Sequence, residues 1–364
     1  MTKRVTNFSP GPAVLPEPVL AAARRDLLAL PGVGSSVLEI SHRSPAFKEI
    51  LDAAEAGLRK LLDIPRNYRV LFLQGGSRLQ FSMVPMNLLR GSGRSADYVL
   101  TGAWGNKAIV EARREGDVRV AWDAKETNYD RLPEPGDLDL DADAAYCHFT
   151  SNETIEGVQF PTEPEVGNVP LACDASSDFL SRPLPIGRYG LLYACAQKNA
   201  GPAGVTVVIL REDLLQRGAE TLPGMLNYRN HDEHHSLYNT PPTFAIYMLR
   251  LIVDWLTNDI GGLEAMAAQN RRKAQMLYEV IDRSDGFYRG HARTDCRSLM
   301  NVTFRLPSDE IQATFIAGAA ERDLHSLKGH RSVGGIRASI YNAMPVAGVE
   351  QLRNFMTGFH KKNI

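Results

Sequence analysis

The sequence predicts an α/β protein of two domains, and three observations support this fold class. The chain has 364 residues, whereas a single hydrophobic core stops growing at about 250 to 300 residues. Short apolar runs bounded by Gly and Pro, such as residues 191–196 and 205–210, are typical of buried strands, and longer segments have a helical pattern. Gly261 and Gly262 precede a long helical segment, so we expect a hinge between two domains there.

Composition and charge exclude several classes of protein. Hydrophobic residues make up 44% of the chain and charged residues 23%, which is typical of a globular protein. Because 41 Lys and Arg balance 42 Asp and Glu, no overall field favours nucleic acid or an acidic membrane. The first residues lack the apolar core of a signal peptide, and the most apolar segment, residues 244–256, is too short to span a bilayer. We therefore expect a cytoplasmic protein.

The predicted elements follow one another as helices and strands. Residues 16–30 and 45–62 have helical patterns, with Ser44 as the N-cap of the second helix. A strand over residues 68–73 leads into a turn and a helical pattern over residues 79–89, which Pro85 breaks. On the long helix 263–282, Arg271, Arg272 and Lys273 are expected on a solvated face. The other predicted elements are strands at 98–100, 144–149, 169–174, 191–196, 205–210 and 299–306, and a helix at 241–256.

Lys198 is a lone charge in the turn between two apolar strands, 191–196 and 205–210. Desolvation there disfavours the charged form of a lysine, as a Schiff-base lysine requires. Asp174 ends the apolar strand 169–174 and can face the same pocket. Pyridoxal phosphate needs a lysine to hold its aldehyde and an acid beside its ring nitrogen. Taken alone, Lys198 also fits a hairpin tip at the surface, and Asp174 a turn or capping residue.

Three further segments place ligand-binding groups where strands end. The turn 74–78 contains Gly75 and Gly76, so backbone N–H groups can approach a phosphate, although such a sequence often forms only a tight turn. Trp104 follows the strand 98–100, where its indole can cover a flat ring or pack in the core. Thr154 follows the strand 144–149, where its hydroxyl can bind a ligand or cap a turn.

Basic and polar residues suggest sites for anions. Arg43, next to His42, lies beside the N-terminus of the helix 45–62, where it can bind an anion or pair with a nearby carboxylate. Asn239 and Thr240 present donors at the start of the helix 241–256. A glycine-rich motif near the C-terminus adds four donors that can surround a dianion and a carboxylate: Lys328, His330, Arg331 and Arg337.

The segment 231–235, His-Asp-Glu-His-His, is the one cluster whose composition suggests a metal. Adjacent residues on one polar loop rarely point to a common centre, so we expect no metal site.

Four runs of sequence resemble the phosphoserine aminotransferases, which are class-V aminotransferases. The likeness begins at Asn7–Pro12 and continues past Pro345, and the last run is highly specific among pyridoxal-phosphate enzymes. The four runs are Asp174–Ser177, Leu180–Pro183, Ala196–Gly204 and Lys328–Pro345.

The resemblance implies a fold-type-I pyridoxal-phosphate enzyme. A large domain, residues 16–260, would contain a mostly parallel seven-stranded sheet, and residues 1–15 and 261–364 would form a smaller α+β domain. The implied reaction is transamination between L-glutamate and 3-phosphohydroxypyruvate, which gives O-phospho-L-serine and 2-oxoglutarate in serine biosynthesis. Activity towards 4-phosphooxythreonine in pyridoxine biosynthesis stays open. The family pattern also implies a homodimer with shared active sites.

The resemblance assigns roles residue by residue. Lys198 would hold the cofactor and move the substrate proton, and Asp174 would keep the ring nitrogen protonated. Ser77 stands where a glycine is common in the family. The implied cofactor-binding residues are Ser77, Arg78, Trp104, Thr154, Asp174, Gln197 and Lys198, with Asn239 and Thr240 from the neighbouring subunit. The implied substrate-binding residues are His42, Arg43, Arg78, His330, Arg331 and Arg337.

Two alternatives stay open at the level of sequence. A cysteine desulfurase on the same fold needs an exposed catalytic cysteine, and Cys296 is the only cysteine outside a clear apolar strand. A non-catalytic binding protein on the same scaffold is the second alternative, because a fold does not determine function. The presence of both Lys198 and Asp174 argues against a protein that only binds.

Overall fold

The computed structural model describes residues 4–363, which fold around a central β-sheet. The helices are α1 (Glu17–Asp26), α2 (Pro45–Leu62), α3 (Gly76–Leu88), α4 (Ala103–Ala112), α5 (Glu212–Leu215), α6 (Tyr228–Glu233), α7 (Thr243–Trp255), α8 (Leu263–Asp282), α9 (Asp309–Ala320) and α10 (Val346–Lys362). The strands are β1 (Thr6–Asn7), β2 (Tyr68–Leu73), β3 (Ala96–Leu100), β4 (Val118–Asp123), β5 (Cys147–Thr150), β6 (Asn152–Glu153), β7 (Val158–Gln159), β8 (Leu171–Asp174), β9 (Tyr189–Cys195), β10 (Thr206–Arg211), β11 (Arg289–Gly290), β12 (Asn301–Arg305), β13 (Leu324–His325) and β14 (Ile336–Ser339).

The central sheet has seven strands in the order β2-β10-β9-β8-β5-β3-β4. Only β10 runs against its neighbours, β2 and β9, and the other adjacent pairs are parallel. The predicted α/β fold with a mostly parallel seven-stranded sheet is therefore confirmed. Parallel strands bring their carboxyl ends to one edge of the sheet, which is where open α/β proteins bind ligands.

Helices cover both faces of this sheet. Val70 and Phe72 of β2 belong to one hydrophobic cluster, which also contains the apolar residues of α2 and α7. Leu71 and Leu73 of the same strand belong to a second cluster with α3 and α4. Because successive side chains of a strand point to opposite faces, a strand buried on both faces has the continuous apolar sequence that first indicated it.

A second group of elements lies towards the C-terminus. The strands β11, β12 and β14 form an antiparallel sheet, and a third hydrophobic cluster joins it to α8, α9 and α10. Phe8 packs in this cluster, and β1 pairs in parallel with β13, so the N-terminal segment lies with the C-terminal elements. We propose 16–260 as the large domain and 1–15 with 261–364 as the small one; residues 1–3 and 364 lie outside the described part of the chain.

Several element boundaries match the sequence predictions and others differ. The structure places α2, β2 and α8 at the predicted residues, and the Ser44 side chain accepts a hydrogen bond from the backbone N–H of Phe47 as the N-cap. Helix α1 ends at Asp26 rather than Leu30, because Pro31 disfavours helical backbone at the residue before it and the exposed Leu28 gains no packing.

Four further predictions about helices were wrong. Helix α3 begins at Gly76 rather than at residue 79, and it continues through Pro85, whose neighbours in the helix are packed in the core. Helix α7 begins at Thr243, after the two prolines rather than at the first of them. Lys273 is not on a solvated face of α8 but only 1% exposed. Within residues 4–363, no helix combines the length and the apolar character needed to cross a membrane.

Candidate active site

Residues at the ends of four strands line one cavity of about 440 Å³. Asp174 ends β8, Lys198 follows β9, and Thr150 ends β5. Gly75 and Gly76 follow β2. This strand is parallel to β9, because both are antiparallel to β10, which lies between them. The cavity lies where the parallel strands end, and the structure brings the following predicted residues together there: Ser77, Arg78, Trp104, Thr154, Asp174, Gln197, Lys198, His330 and Arg337.

Lys198 extends into this cavity. Its Nζ donates a hydrogen bond of 2.8 Å to Thr154 Oγ1 and lies 5.7 Å from the centre of the Trp104 ring. Burial alone favours the neutral amine, but the nearby Tyr341, Cys195 and Asp174 outweigh burial and raise the pKa of Lys198. Desolvation therefore acts in the expected direction, but the acidic groups around the lysine reverse the net shift, which the sequence did not predict.

Asp174 is buried beside Lys198. One carboxylate oxygen accepts a hydrogen bond of 2.9 Å from the backbone N–H of Ser176. Burial raises the pKa of Asp174, while the Lys198 ammonium and the Ser176 hydrogen bonds oppose that shift. A positive charge near the carboxylate therefore favours its ionised form, as a protonated pyridine nitrogen would.

The N-terminus of α3 has backbone geometry suited to the predicted phosphate cradle. Gly75 and Gly76 have φ angles of +85° and +63°, which residues with a side chain rarely adopt. The first N–H groups of a helix have no partner within the helix, and the helix dipole favours an anion beside them. Ser77, which stands in this first turn, forms a 2.6 Å hydrogen bond with the hydroxyl of Ser176. The hydroxyl at Ser77 is therefore held by the loop that follows Asp174.

Two buried carboxylates fix the start of α4 and so the position of Trp104. Glu153 accepts hydrogen bonds from the backbone N–H groups of Trp104 (3.0 Å) and Gly105 (2.9 Å), and Glu156 accepts one from Ala103 (3.1 Å). Burial raises the pKa of Glu153 to about 8, with Glu156 as the second cause, and burial raises that of Glu156 to about 7. Sequence reasoning missed this pair, although both acids flank Thr154.

Basic side chains lie in or near the cavity. Arg337 is buried and donates to the Thr154 carbonyl at 3.5 Å. Lys107, which was not predicted, lies 4.1 Å from the Trp104 ring, and burial together with the charge of Arg78 lowers its pKa. Among residues 4–363, none of the following forms an ion pair with a carboxylate: Arg78, Lys107, His330, Arg331 and Arg337. Arg331 is exposed and does not line the cavity.

Besides Arg331, four of the predicted site residues lie outside the Lys198 cavity. His42 and Arg43 line a separate cavity of about 750 Å³ with residues 232–237. Asn239 and Thr240 lie beside Gln74, whose side-chain amide donates to the Thr240 carbonyl at 3.3 Å. One chain alone therefore does not bring these four residues to the Lys198 cavity.

The histidine cluster is not on a loop as expected, because α6 includes His231. The side chain of His231 is buried and bonds to the Met225 carbonyl at 2.9 Å, whereas that of His234 bonds to the Asn230 carbonyl. Their directions differ, and no group of three or more His, Cys, Asp or Glu suited to a metal ion occurs within the described residues.

The alternative reading as a cysteine desulfurase loses its candidate residue. Cys296 is 2% exposed, and its thiol donates to the carbonyls of Asp130 and Arg293. Burial raises the pKa of Cys296 to about 12, so the thiolate that attacks as a nucleophile is scarce at neutral pH.

The residues of the Lys198 cavity fit pyridoxal phosphate. Lys198 and Asp174 supply the amine and the acid, and the α3 N-terminus supplies free N–H groups for the phosphate. Two polar atoms at the cavity, Trp104 Nε1 and Thr150 Oγ1, are buried and have no hydrogen-bond partner among residues 4–363. A bound polar molecule would give such atoms the partners that buried groups require.

The whole chain is similar to known proteins. The family model for class-V aminotransferases matches residues 5–352. The phosphoserine aminotransferase of Rhodopirellula baltica is 61% identical over 99% of this chain and 96% of its own, and that of Laribacter hongkongensis is 54% identical over 99% of both. The structure of the phosphoserine aminotransferase of Bacillus circulans subsp. alkalophilus superimposes with a TM-score of 0.97 at 47% identity, covering 100% of both chains. A structure of the enzyme from Trichomonas vaginalis with pyridoxal phosphate bound gives a TM-score of 0.92 at 39% identity, over 97% of this chain and 100% of that one. This chain belongs to the class-V aminotransferases.

Proposed function

We propose that this enzyme transfers the amino group of L-glutamate to 3-phosphohydroxypyruvate, giving O-phospho-L-serine and 2-oxoglutarate, with pyridoxal phosphate as its cofactor. The observation that carries the proposal is the Lys198–Asp174 pair at adjacent strand ends, beside cations that have no acidic partner in the described chain. The relatives that are 61% and 54% identical over nearly the whole chain are phosphoserine aminotransferases. Serine biosynthesis is the corresponding pathway.

The residues of the cavity divide the chemistry between them. Bound pyridoxal phosphate supplies an electron sink for the charge left at the substrate Cα atom. Lys198 would hold the cofactor through Nζ, and its amine would move a proton to and from the substrate Cα atom. Asp174 would keep a proton at the ring nitrogen. Glu153 and Glu156 fix the helix start that carries Trp104, whose indole would lie beside the ring.

The basic residues can bind both substrates, each of which carries anionic groups at two places. Arg337 is buried and suited to bind the α-carboxylate, because its guanidinium can form two parallel hydrogen bonds. Arg78, His330 and Arg331 would bind the phosphate of one substrate and the side-chain carboxylate of the other. Charge-assisted hydrogen bonds contribute about 1.5–3 kcal/mol each. Two such bonds to the phosphate therefore predict a preference of roughly 100-fold or more.

The preference for a phosphorylated substrate can be used to test the proposed function. Purified enzyme should show the visible absorbance of bound pyridoxal phosphate, and L-glutamate should change that absorbance. Efficiency, kcat/KM, should then be compared for 3-phosphohydroxypyruvate and pyruvate under the same conditions. Equal efficiencies would contradict the proposed substrate while leaving the aminotransferase activity in place.

We also propose a cytoplasmic homodimer in which each site uses residues of both chains. The support is that His42 and Arg43, together with Asn239 and Thr240, lie away from the Lys198 cavity of their own chain. In a two-fold dimer the same surface of each subunit faces the other, so a residue from one chain can complete the site of its partner. The family pattern stated from the sequence, which implies a homodimer with shared sites, is the second support.

Mixing two inactive variants tests the shared site. A heterodimer of Lys198→Ala and Arg43→Ala subunits contains one site with both changes and one site with neither. Activity should return towards the level of one intact site per dimer. Mixtures that stay inactive after subunit exchange, verified by mass, would show that each chain uses its own Arg43. A monomer that is active at the assay concentration would exclude the dimer itself.

A further inference from the structure

Lys273 is a buried cation that the proposed mechanism does not use. It lies on α8, and its ammonium shares three N–H groups among four carbonyl oxygens, those of Tyr341 (2.7 Å), Ile340 (3.0 Å), Met344 (3.3 Å) and Asn342 (3.4 Å). It forms no ion pair in the part of the chain that the structure describes. The positive charge is therefore balanced by carbonyl dipoles, in the way that carbonyl oxygens bind a monovalent metal cation.

The four oxygens belong to the turn 340–344, which joins β14 to α10. Most of this turn is buried, and a buried carbonyl without a donor destabilises the fold. Burial lowers the pKa of Lys273 to about 7. In general, hydrogen bonds to carbonyl oxygens favour the protonated form of an amine. Asn270, one helical turn earlier on α8, donates to the side-chain oxygen of Asn342 at 2.8 Å. The two side chains thus hold the same turn from one face of α8.

The turn 340–344 contacts the active site at two points. The Tyr341 hydroxyl donates to the Pro10 carbonyl at 2.8 Å, and Pro10 lines the cavity. The backbone N–H of Asn342 donates to the side-chain oxygen of Asn199 at 2.9 Å, and Asn199 directly follows Lys198. A movement of the turn would therefore be transmitted to Lys198 through Asn199 and to the cavity wall through Pro10.

We propose that Lys273 is a positioning residue for Lys198, and that its ammonium acts as a built-in monovalent cation that holds the turn 340–344. The inference rests on the proposed function only in taking Lys198 as the residue that binds the cofactor. It adds a residue of α8, outside the cavity, to those on which the rate of proton transfer depends.

The first experiment replaces Lys273 by Met, which keeps the length of the side chain and removes its charge. A misplacement of about 1 Å at a reacting group costs up to roughly 100-fold in rate. The Lys273→Met enzyme should therefore lose about 10- to 100-fold in kcat, with KM changed by less than about threefold. The visible circular dichroism of the bound cofactor, which reports its orientation, should weaken. Arg271→Met, at an exposed position on the same helix, is the matched control and should change neither quantity.

The second experiment separates the charge from the packing. Lys273→Ala removes three carbons and the ammonium, and n-propylammonium restores the same atoms. Adding it should raise both kcat and the melting temperature of Lys273→Ala, whereas 1-propanol, which has similar size and no charge, should raise neither. The Lys273→Met variant has no space for n-propylammonium. Any change that the amine causes in this variant therefore measures its direct reaction with the cofactor.

Two results would overturn the inference. One is a Lys273→Met enzyme with the kcat and the visible circular dichroism of the unaltered enzyme. The other is a Lys273→Ala protein that n-propylammonium neither activates nor stabilises more than 1-propanol does. Failure of the proposed function would give a different result, because the unaltered enzyme would then not use 3-phosphohydroxypyruvate. The circular dichroism and melting comparisons would still test the role of Lys273, since neither depends on that substrate.

Discussion

Lys198 and Asp174 meet because their strands are neighbours in the sheet. Asp174 at the end of β8 lies opposite Tyr193 of β9, and Lys198 follows β9 by three residues. The pair therefore depends on strand register, and the register of a strand buried on both faces is strongly specified by its apolar side chains. This is why two residues that are ambiguous in the sequence become a defined site in the structure.

Lys198→Ala should abolish transamination and the visible absorbance that pyridoxal phosphate shows when it is bound to a lysine. The fold should be retained, because the side chain makes a hydrogen bond only to Thr154 within the described chain. Absorbance spectra and a coupled assay for 2-oxoglutarate check this. Lys60→Ala, at an exposed position of α2, is the control. Turnover by the Lys198→Ala protein would remove this lysine from the reaction.

Asp174→Asn should preserve the shape of the side chain and its bond from the Ser176 N–H while removing the negative charge. Without that charge the ring nitrogen loses its proton more easily, so the electron sink weakens. We expect kcat to fall by at least about tenfold, equivalent to about 1.4 kcal/mol in the barrier. Steady-state kinetics and a melting curve together separate this loss from misfolding. An Asn variant as fast as the unaltered enzyme would mean that the charge is dispensable.

At the residue scale, a site residue could be predicted from the sequence where a residue of its type has few plausible roles at that position. A lone lysine between apolar strands and an acid at a strand end both lie at the cavity as predicted. It failed for Lys273 and for the pair Glu153 and Glu156, because their partners are backbone groups of distant segments. A backbone carbonyl or N–H has no signature in the sequence, so such contacts become visible only in the folded chain.

The connection between β3 and α4 has room for no side chain at Gly102. A Cβ atom there would lie 2.6 Å from Glu153 Cδ and 2.7 Å from Glu156 Oε2. The glycine is thus required for close packing against the carboxylate pair, and not for its backbone angles.

Gly102→Ala should displace the carboxylates and with them the start of α4, which carries Trp104. Overpacking of this kind costs about 1–3 kcal/mol of stability. We also expect weaker binding of pyridoxal phosphate, measured by equilibrium dialysis. Gly187→Ala is the matched control, because a Cβ atom at Gly187 meets no atom within 4 Å. Equal stability and equal cofactor affinity in the two variants would show that the carboxylates can move without effect.

At the scale of elements, the capped helix α2 was predicted at its observed bounds, whereas α9, which Ser308 caps, was not predicted. Ser44 and Pro45 mark the start of α2, and the apolar stripe ends with it at Leu62. The start of α3 was misplaced, because Gly75 and Gly76 suggest a turn although Gly76 is already the first residue of the helix. Local sequence cannot show that packing against the sheet compensates for weak helix formers such as Gly76 and Pro85.

The stability of the whole molecule should depend on pH through the Glu153–Glu156 pair. In the unfolded chain both carboxyls have pKa values of about 4.3, whereas the folded values are raised to about 8 and about 7. The folded state therefore holds more protons, and the free energy of unfolding decreases as pH rises from about 4.3 to 8.

Glu156→Gln removes one of these two titrations and keeps an oxygen that can accept from the Ala103 N–H. Relative to the unaltered protein, the variant should gain stability as pH rises through this window, by about 1–3 kcal/mol. Melting temperatures measured at pH 5 and pH 8 for both proteins give the difference. Glu220→Gln changes an exposed carboxylate and should show no such trend. A difference that is constant with pH would mean that Glu156 is already ionised in the folded state.

For the whole molecule, the class of fold and the position of the cavity were predictable from the order of strands and turns. The assembly was not predictable in this way, because no pattern in the sequence indicates to which subunit's active site His42 and Arg43 contribute. The same limit applies to Asn239 and Thr240, which lie near Gln74 of their own chain but outside its Lys198 cavity. Contacts between distant or separate segments depend on three-dimensional arrangement, and the sequence specifies that arrangement only through the complete fold.

The pairing of β1 with β13 sets the order in which the enzyme can be completed during translation. Thr6 and Asn7 are made first, yet their strand partners, Leu324 and His325, are made near the end. Pro10 and Gly11, which line the cavity, follow β1 directly. At about 5–20 residues per second, a ribosome needs roughly 15 to 65 seconds to go from the first partner to the second. For that interval the nascent chain carries one wall of its active site without a place to dock, so catalytic competence should be acquired only when synthesis is almost finished.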